Sequence, residues 1–313
     1  MAEVVRLIEP EKIFPNPENP RLIFRQEELD TLQDSIAKQG ILVPLTLYQD
    51  GNQYFLLDGE RRWRSSLKLG LSKIPVIVQP KPDRMQNLMM MFAIHNSRKD
   101  WDPLPTALKL ADLEKEYTRR NKKTPTEAEL AGIASLTRGE VRRLKKLLAL
   151  PIEYRKILLD ELEKPRSQQI LSVDHVLEAT KGAEALRKRS IINEKEEDHL
   201  RKAIIAKFQS QVINNTVAPR KLIRLAQSVE RGEIPINAAK NVVFKLTFDS
   251  DYSIDTAFEE TVEQADFEHT LDQLVDRMIT RLDEHEKRGY RMSETLQKAL
   301  GELSAKIKKL VQE

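Results

Sequence analysis

The sequence predicts an α+β protein: a small mixed domain at the N-terminus, then an all-α helix-turn-helix domain, then a helical C-terminal region. Three observations predict this. Short apolar, partly β-branched runs occur only within about the first 80 residues, and they alternate there with helical windows. Beyond Arg84 the apolar residues recur three and four apart, and strand signals almost vanish. A chain of 313 residues exceeds one compact core, and 32% charged with 5% aromatic residues suits several modest helical cores. The expected divisions are 1–100, 101–245 and 246–313.

The expected strands are Leu42–Leu47, Tyr54–Leu57 and Ile74–Val78. Between them, Glu27–Gln39 sets Leu29, Leu32 and Ile36 on one helical face and stops at Gly40, while Arg61–Leu69 stops at Gly70. Arg84–His95 is an apolar helix in which Met89, Met90 and Met91 read as core filling. Asp102-Pro103-Leu104-Pro105 breaks the chain before a helix over Thr106–Arg119. Helices are then expected at 126–134, 138–149, 152–163, 173–188, 194–213, 219–231 and 236–244. After an acidic linker, Leu271, Leu274, Met278 and Leu282 form one stripe. Leu296, Leu300, Leu303, Ile307 and Leu310 follow the alternating spacing of a coiled coil, which joins either two copies or two helices of one chain.

The absence of cysteine excludes disulfides, thiolate zinc sites and thiol catalysis. Met1-Ala2-Glu3 opens no apolar leader and no run reaches the roughly 18 apolar residues of a membrane span, so the expected place is the cytoplasm, on the nucleoid, with no membrane partner. The net charge of +3 hides a polarised distribution. Tyr117–Leu148 holds nine Lys or Arg against three Glu, whereas Asp249–Asp276 holds ten acids and no Lys or Arg. A basic window of this kind points to nucleic acid.

That window contains a helix-turn-helix. Thr126 caps a first helix with Glu129 three residues on, and Thr137 caps a second with Glu140 three residues on, which makes two capping boxes. Leu130, Ala131 and Ile133 are expected inward, with small Ala131 at the crossing and the turn at Ala134–Leu136. Val141, Leu144 and Leu148 give the second helix its buried stripe. Thr137, Arg138, Gly139 and Arg142 then lie at the end that reaches base edges, and Arg143, Lys145 and Lys146 are placed for phosphates of double-stranded DNA.

Leu56-Leu57-Asp58-Gly59-Glu60-Arg61-Arg62-Trp63-Arg64 runs from a strand through Gly59 into a helix. The glycine allows a tight turn, the new helix offers open N–H groups to an anion, and the guanidinium groups suit bidentate phosphate contact. A triphosphate and a DNA phosphate both fit this description.

In order along the chain stand the loop Asn16-Pro17-Glu18-Asn19-Pro20-Arg21, then Ser35-Ile36 with Gln39-Gly40-Ile41-Leu42-Val43-Pro44-Leu45. Gly59-Glu60-Arg61-Arg62, Ile74–Val78 and the helix-turn-helix ending Leu147-Leu148-Ala149-Leu150-Pro151 follow, with Leu171-Ser172, His175 and Thr216–Arg220 as weaker echoes. Over about residues 5–230 this arrangement resembles the ParB family of DNA-partitioning proteins. The resemblance implies a ParB/sulfiredoxin-like N-terminal domain that binds CTP with magnesium, gating a homodimeric clamp on a palindromic DNA site. It implies cofactor contacts at Arg21, Gly59, Glu60, Arg61, Arg62 and Asn96, and a ParA-like ATPase as a partner in plasmid or chromosome partition. A sulfiredoxin activity is excluded, because that enzyme needs a cysteine where Glu60 stands.

One departure bears on chemistry. The family's Glu-Asn-x-x-Arg motif is here His95-Asn96-Ser97-Arg98-Lys99, and magnesium prefers oxygen ligands. His95 therefore argues against CTP hydrolysis, and no residue is assigned as catalytic or as a metal ligand. Two other functions remain open at this level: a ParB-like transcription regulator without nucleotide hydrolysis, and a ParB-like nuclease or small-molecule kinase.

Overall fold

In a computed structural model, residues 4–21, 23–96 and 102–311 are described. The chain divides into two compact units: residues 1–181 with 201–219, and residues 182–200 with 220–313.

The first unit begins with a five-stranded mixed sheet, β1 (Val5–Ile8), β2 (Ile13–Phe14), β3 (Leu45–Asp50), β4 (Gln53–Asp58) and β5 (Ile74–Gln79), in the order β1-β5-β3-β4-β2. The β1/β5 and β3/β4 pairs are antiparallel, and β3/β5 and β2/β4 are parallel. Alternation along the strands builds a core on each face. Leu45, Leu47, Leu56, Ile74 and Val76 point to one side, where Trp63 packs, and Tyr48, Leu57 and Met91 form a second cluster with Phe55. Helices α1 (Gln26–Gln39) and α2 (Glu60–Lys68) pack on each other, and α3 (Arg84–Asn96) lies against β4. A sheet covered on both faces explains why β5 reads as an unbroken apolar run.

Two strands, β1 and β2, escape the sequence pattern. β1 is an exposed four-residue edge interrupted by Arg6, and β2 has only two residues. The strand expected over Leu42–Leu47 lies instead at Leu45–Asp50. Pro44 has no N–H to give a ladder, and the Val43 and Pro44 carbonyls accept from Arg62 instead. A two-residue turn with Gly51 at φ 59 then joins β3 to β4.

Beyond the sheet the unit is helical: α4 (Pro103–Asn121), α5 (Glu127–Ile133), α6 (Arg138–Leu148), α7 (Ile152–Glu163), then α8 (Val173–Lys188) and α9 (Glu194–Gln209), which pass into the second unit. The expected break at Pro103–Pro105 is a helix start. Both prolines sit in the first turn, where no N–H is needed. Helix α9 ends at Gln209 rather than at 213, because Gln211 adopts a left-handed φ of 61 and the Ile213 N–H donates back to the Lys207 carbonyl.

In the second unit α10 (Arg220–Glu230), α11 (Ile236–Phe248) and α12 (Ile254–Thr261) enclose Leu222, Leu225, Val242, Val243, Leu246 and Ile254. Helices α13 (Glu263–Arg288) and α14 (Glu294–Val311) follow. The acidic stretch read as a linker is thus largely helical, with Ser253 capping α12 through the Thr256 N–H. No residue of α13 is buried, and its Leu271, Leu274 and Ile279 face solvent, as do Leu296, Ile307 and Leu310 of α14.

Candidate phosphate cradle and nucleic-acid interface

The turn between β4 and α2 is fixed by Gly59. Its φ of 98 is left-handed, and a Cβ there would lie 2.8 Å from Cγ of Leu45 and 3.0 Å from Nη2 of Arg62. Only glycine fits. The N-terminus of α2 has no side-chain cap, and its first residues line a half-enclosed cavity of about 240 Å³. Arg21, Gly59, Glu60, Arg61 and Arg62, predicted from separate segments, all line this cavity. Of the predicted set, Asn96 falls outside the described side chains, as do His95 and the whole of Ser97, Arg98 and Lys99.

Each lining group has a defined environment. Arg61 donates through Nη2 to the Glu28 carbonyl at 2.7 Å, and its buried Nε has no hydrogen-bond partner among the described residues. Arg62 braces the turn by donating to the Pro44 carbonyl (3.0 Å), the Val43 carbonyl and Asp58 Oδ2 (3.0 Å). The nearly buried Glu60 carboxylate accepts from Asn19 Nδ2 at 2.5 Å and from Arg64 Nη2 at 2.7 Å. The Asn-Pro loop is anchored by a buried reciprocal amide pair, Asn16 with Asn87, at 2.8 and 3.0 Å.

Asn19 and Phe24 are among the lining residues that sequence reasoning did not assign to the site. The Phe24 ring lies 4.1 Å from the guanidinium of Arg64, distant in the chain, and 5.3 Å from that of its near neighbour Arg21, a cation–π arrangement. Phe24 follows Arg21 closely and is one of only nine phenylalanines, which is the one local signal it offered.

Both predicted capping boxes form in the helix-turn-helix. The Thr126 and Thr137 N–H groups each donate to a glutamate, Glu129 and Glu140, at 2.7 Å, and each glutamate N–H returns to the threonine Oγ1 at 3.2 Å. These N–H contacts hold both carboxyl groups below the usual glutamate range. Leu130, Ala131, Val141 and Leu144 are buried as expected, but Leu147 rather than Leu148 completes the stripe, and Ile133 is only half-buried. The shift of one position follows from α6 packing against α4 as well as α5.

Thr137, Arg138, Gly139, Arg142, Arg143 and Lys146 all lie on the exposed side of α6. Two of them are held by carboxylates: Arg142 Nε donates to Glu127 at 2.7 Å and Arg143 Nη2 to Asp174 at 2.8 Å. Lys145 is turned toward α4, where its Nζ meets Glu114 at 2.8 Å.

Residues 1–96 match the family model of the ParB N-terminal domain. The "probable chromosome-partitioning protein ParB" of Xylella fastidiosa is 33% identical over 187 residues, 59% of this chain and 58% of that protein. The chain thus spans a little over half of that relative's length. Among solved structures, C-terminally truncated ParB from Caulobacter crescentus complexed to the centromeric parS site aligns over 71% of this chain and 99% of its own. It shows 23% identity and a TM-score of 0.43. The same protein complexed with CTP-gamma-S aligns over 50% and 85%, with 29% identity and a TM-score of 0.29.

Proposed function

Since the chain belongs to the ParB family, we propose that it is a partition protein that binds a specific double-stranded DNA site through α5 and α6. In this reading it takes CTP at the turn before α2 and acts as a homodimer in plasmid or chromosome segregation, beside a ParA-like ATPase. Residues 1–100 would hold the nucleotide, 101–245 the DNA, and 246–313 the second protomer.

The observation that carries the DNA half is the α6 surface. Arg138, Gly139, Arg142, Arg143 and Lys146 stand exposed on a helix that the Thr137–Glu140 capping box and a buried stripe fix in place. The cradle supports the nucleotide half. Its open helix N-terminus, the Arg61 Nε without a partner and the adjoining Arg21 suit the phosphates of a nucleoside triphosphate. Among the described residues no three His, Asp or Glu side chains converge. No described helix is long and apolar enough to cross a membrane.

The decisive experiment pairs two variants. Arg142→Ala, measured on sites recovered by immunoprecipitation and sequencing, is expected to lose about 1–3 kcal/mol of specific binding if the side chain reads a base. An equal loss on every sequence would make it a phosphate contact. Arg61→Ala is expected to abolish calorimetric binding of CTP, and wild-type protein that binds no triphosphate with or without DNA would refute the cradle. The His95 substitution favours a regulator without hydrolysis as the second reading, distinguished by CTP turnover in the presence of the cognate site.

A further inference from the structure

Glu28 lies in the first turn of α1, and its carboxylate gathers three arginines from separate segments. Arg21 Nη2 donates to Oε2 at 2.7 Å. On the other oxygen, Arg166 Nη2 lies at 3.3 Å and Arg25 Nη1 at 3.8 Å. Arg61 donates to the backbone carbonyl of the same residue. Arg21 and Arg61 are the two cradle arginines whose guanidinium groups meet Glu28, and Arg21 pairs with no other carboxylate among the described residues. Arg166 differs from them. It belongs to a short turn beyond the helix-turn-helix, and its side chain is 68% exposed.

We infer that Glu28 is a positioning residue that serves as the cradle's resident anion, holding Arg21 until a nucleotide phosphate takes it and then turning to Arg166. The inference rests on the phosphate-site reading above and names the regulation of that site. A triphosphate brings several negative charges to a place where a carboxylate already neutralises Arg21, so the two anions compete for one guanidinium. Once Arg21 leaves, Oε2 of Glu28 has lost its hydrogen bond, and the carboxylate must be satisfied by the remaining cations, Arg25 and Arg166. Arg25 is shared with Asp102 at 3.5 Å, whereas Glu28 is the carboxylate paired with Arg166. Occupation of the cradle therefore strengthens the tie between α1 and the segment behind the DNA-reading helices. Linkage makes the effect reciprocal, so a tie that tightens with the nucleotide must also tighten nucleotide binding.

The test is a double-mutant cycle on the full-length protein, read by calorimetric titration with CTP and with inorganic triphosphate at low salt. Glu28→Gln removes the competing charge and is expected to tighten binding of both probes by about fivefold or more. Arg166→Gln, on an exposed side chain where folding is not at risk, is expected to weaken binding by about two- to fivefold. It is expected to have no effect when Glu28→Gln is already present. Unchanged or weaker binding in Glu28→Gln overturns the inference and leaves the phosphate site standing. An equal loss from Arg166→Gln in both backgrounds overturns the handover, since a general electrostatic field would act that way. If neither wild type nor Glu28→Gln binds either probe, the phosphate-site reading itself fails and takes the inference with it.

Discussion

At the scale of single residues, Gly59 and His175 make the sharpest demands. A Cβ at Gly59 meets the core side chain of Leu45 while the backbone sits at φ 98, so two penalties combine. Gly59→Ala is expected to destabilise the protein by roughly 1–3 kcal/mol in urea unfolding and to remove triphosphate binding. His175 is closed on both nitrogens. The Ser172 N–H donates to Nδ1 at 2.9 Å, so Nε2 carries the proton toward Thr216 Oγ1 at 3.1 Å, with the Phe208 ring 4.5 Å away. Burial pushes this imidazole below its usual 6.5, against a smaller opposing pull from Asp174. With the folded value below the unfolded one, the native state binds fewer protons between them. The stability is complete above about pH 6.5 and is lost as pH falls from there through the folded value. Proton NMR should give a His175 midpoint below 6.5, and His175→Gln should lose less stability between pH 7 and 5 than wild type. A midpoint at or above 6.5 refutes this.

Among elements, α6 depends on its first turn. Thr137→Ala removes the cap and is expected to cost about 1 kcal/mol in chemical denaturation, with DNA affinity falling alongside. This element was legible in the sequence because its determinants are local: a threonine, a glutamate three residues on, and an apolar stripe. β2 was not legible for the opposite reason. Its two residues are a strand only because Ile13 and Phe14 pair with Tyr54 and Phe55, forty residues away. The prolines of α4 misled because the same residue breaks a helix interior and favours a helix start. The proposed cradle was half legible. Gly59-Glu60-Arg61-Arg62 announced itself as a turn into a basic helix, while Glu28 meets Arg166, and Phe24 meets Arg64, only through the tertiary fold.

At the scale of the whole molecule, α13 and α14 carry exposed apolar stripes. Leu271, Leu274, Ile279, Ile307 and Leu310 have no core to join within their own unit. In the proposed homodimer a second copy would cover them, and the joint substitution Ile307→Glu and Leu310→Glu is then expected to shift sedimentation from dimer to monomer without unfolding α1–α7. A monomeric wild type at micromolar concentration would remove this assembly from consideration.

In the proposed DNA complex, two carboxylates that pair with α6 arginines, Glu127 of α5 and Asp174 of α8, would bear on how binding depends on salt. If Arg142 and Arg143 turn to phosphate or base as proposed, they exchange Glu127 and Asp174 for the duplex. Each phosphate neutralised releases condensed cations from the duplex, with a slope of about 0.9 in log K per contact. Each abandoned carboxylate then draws a cation back from solution. The logarithm of affinity should therefore fall less steeply with salt than the number of phosphate contacts implies. Glu127→Gln should steepen that fall while raising affinity at low salt, so these acids would make DNA binding less sensitive to the ionic strength around it.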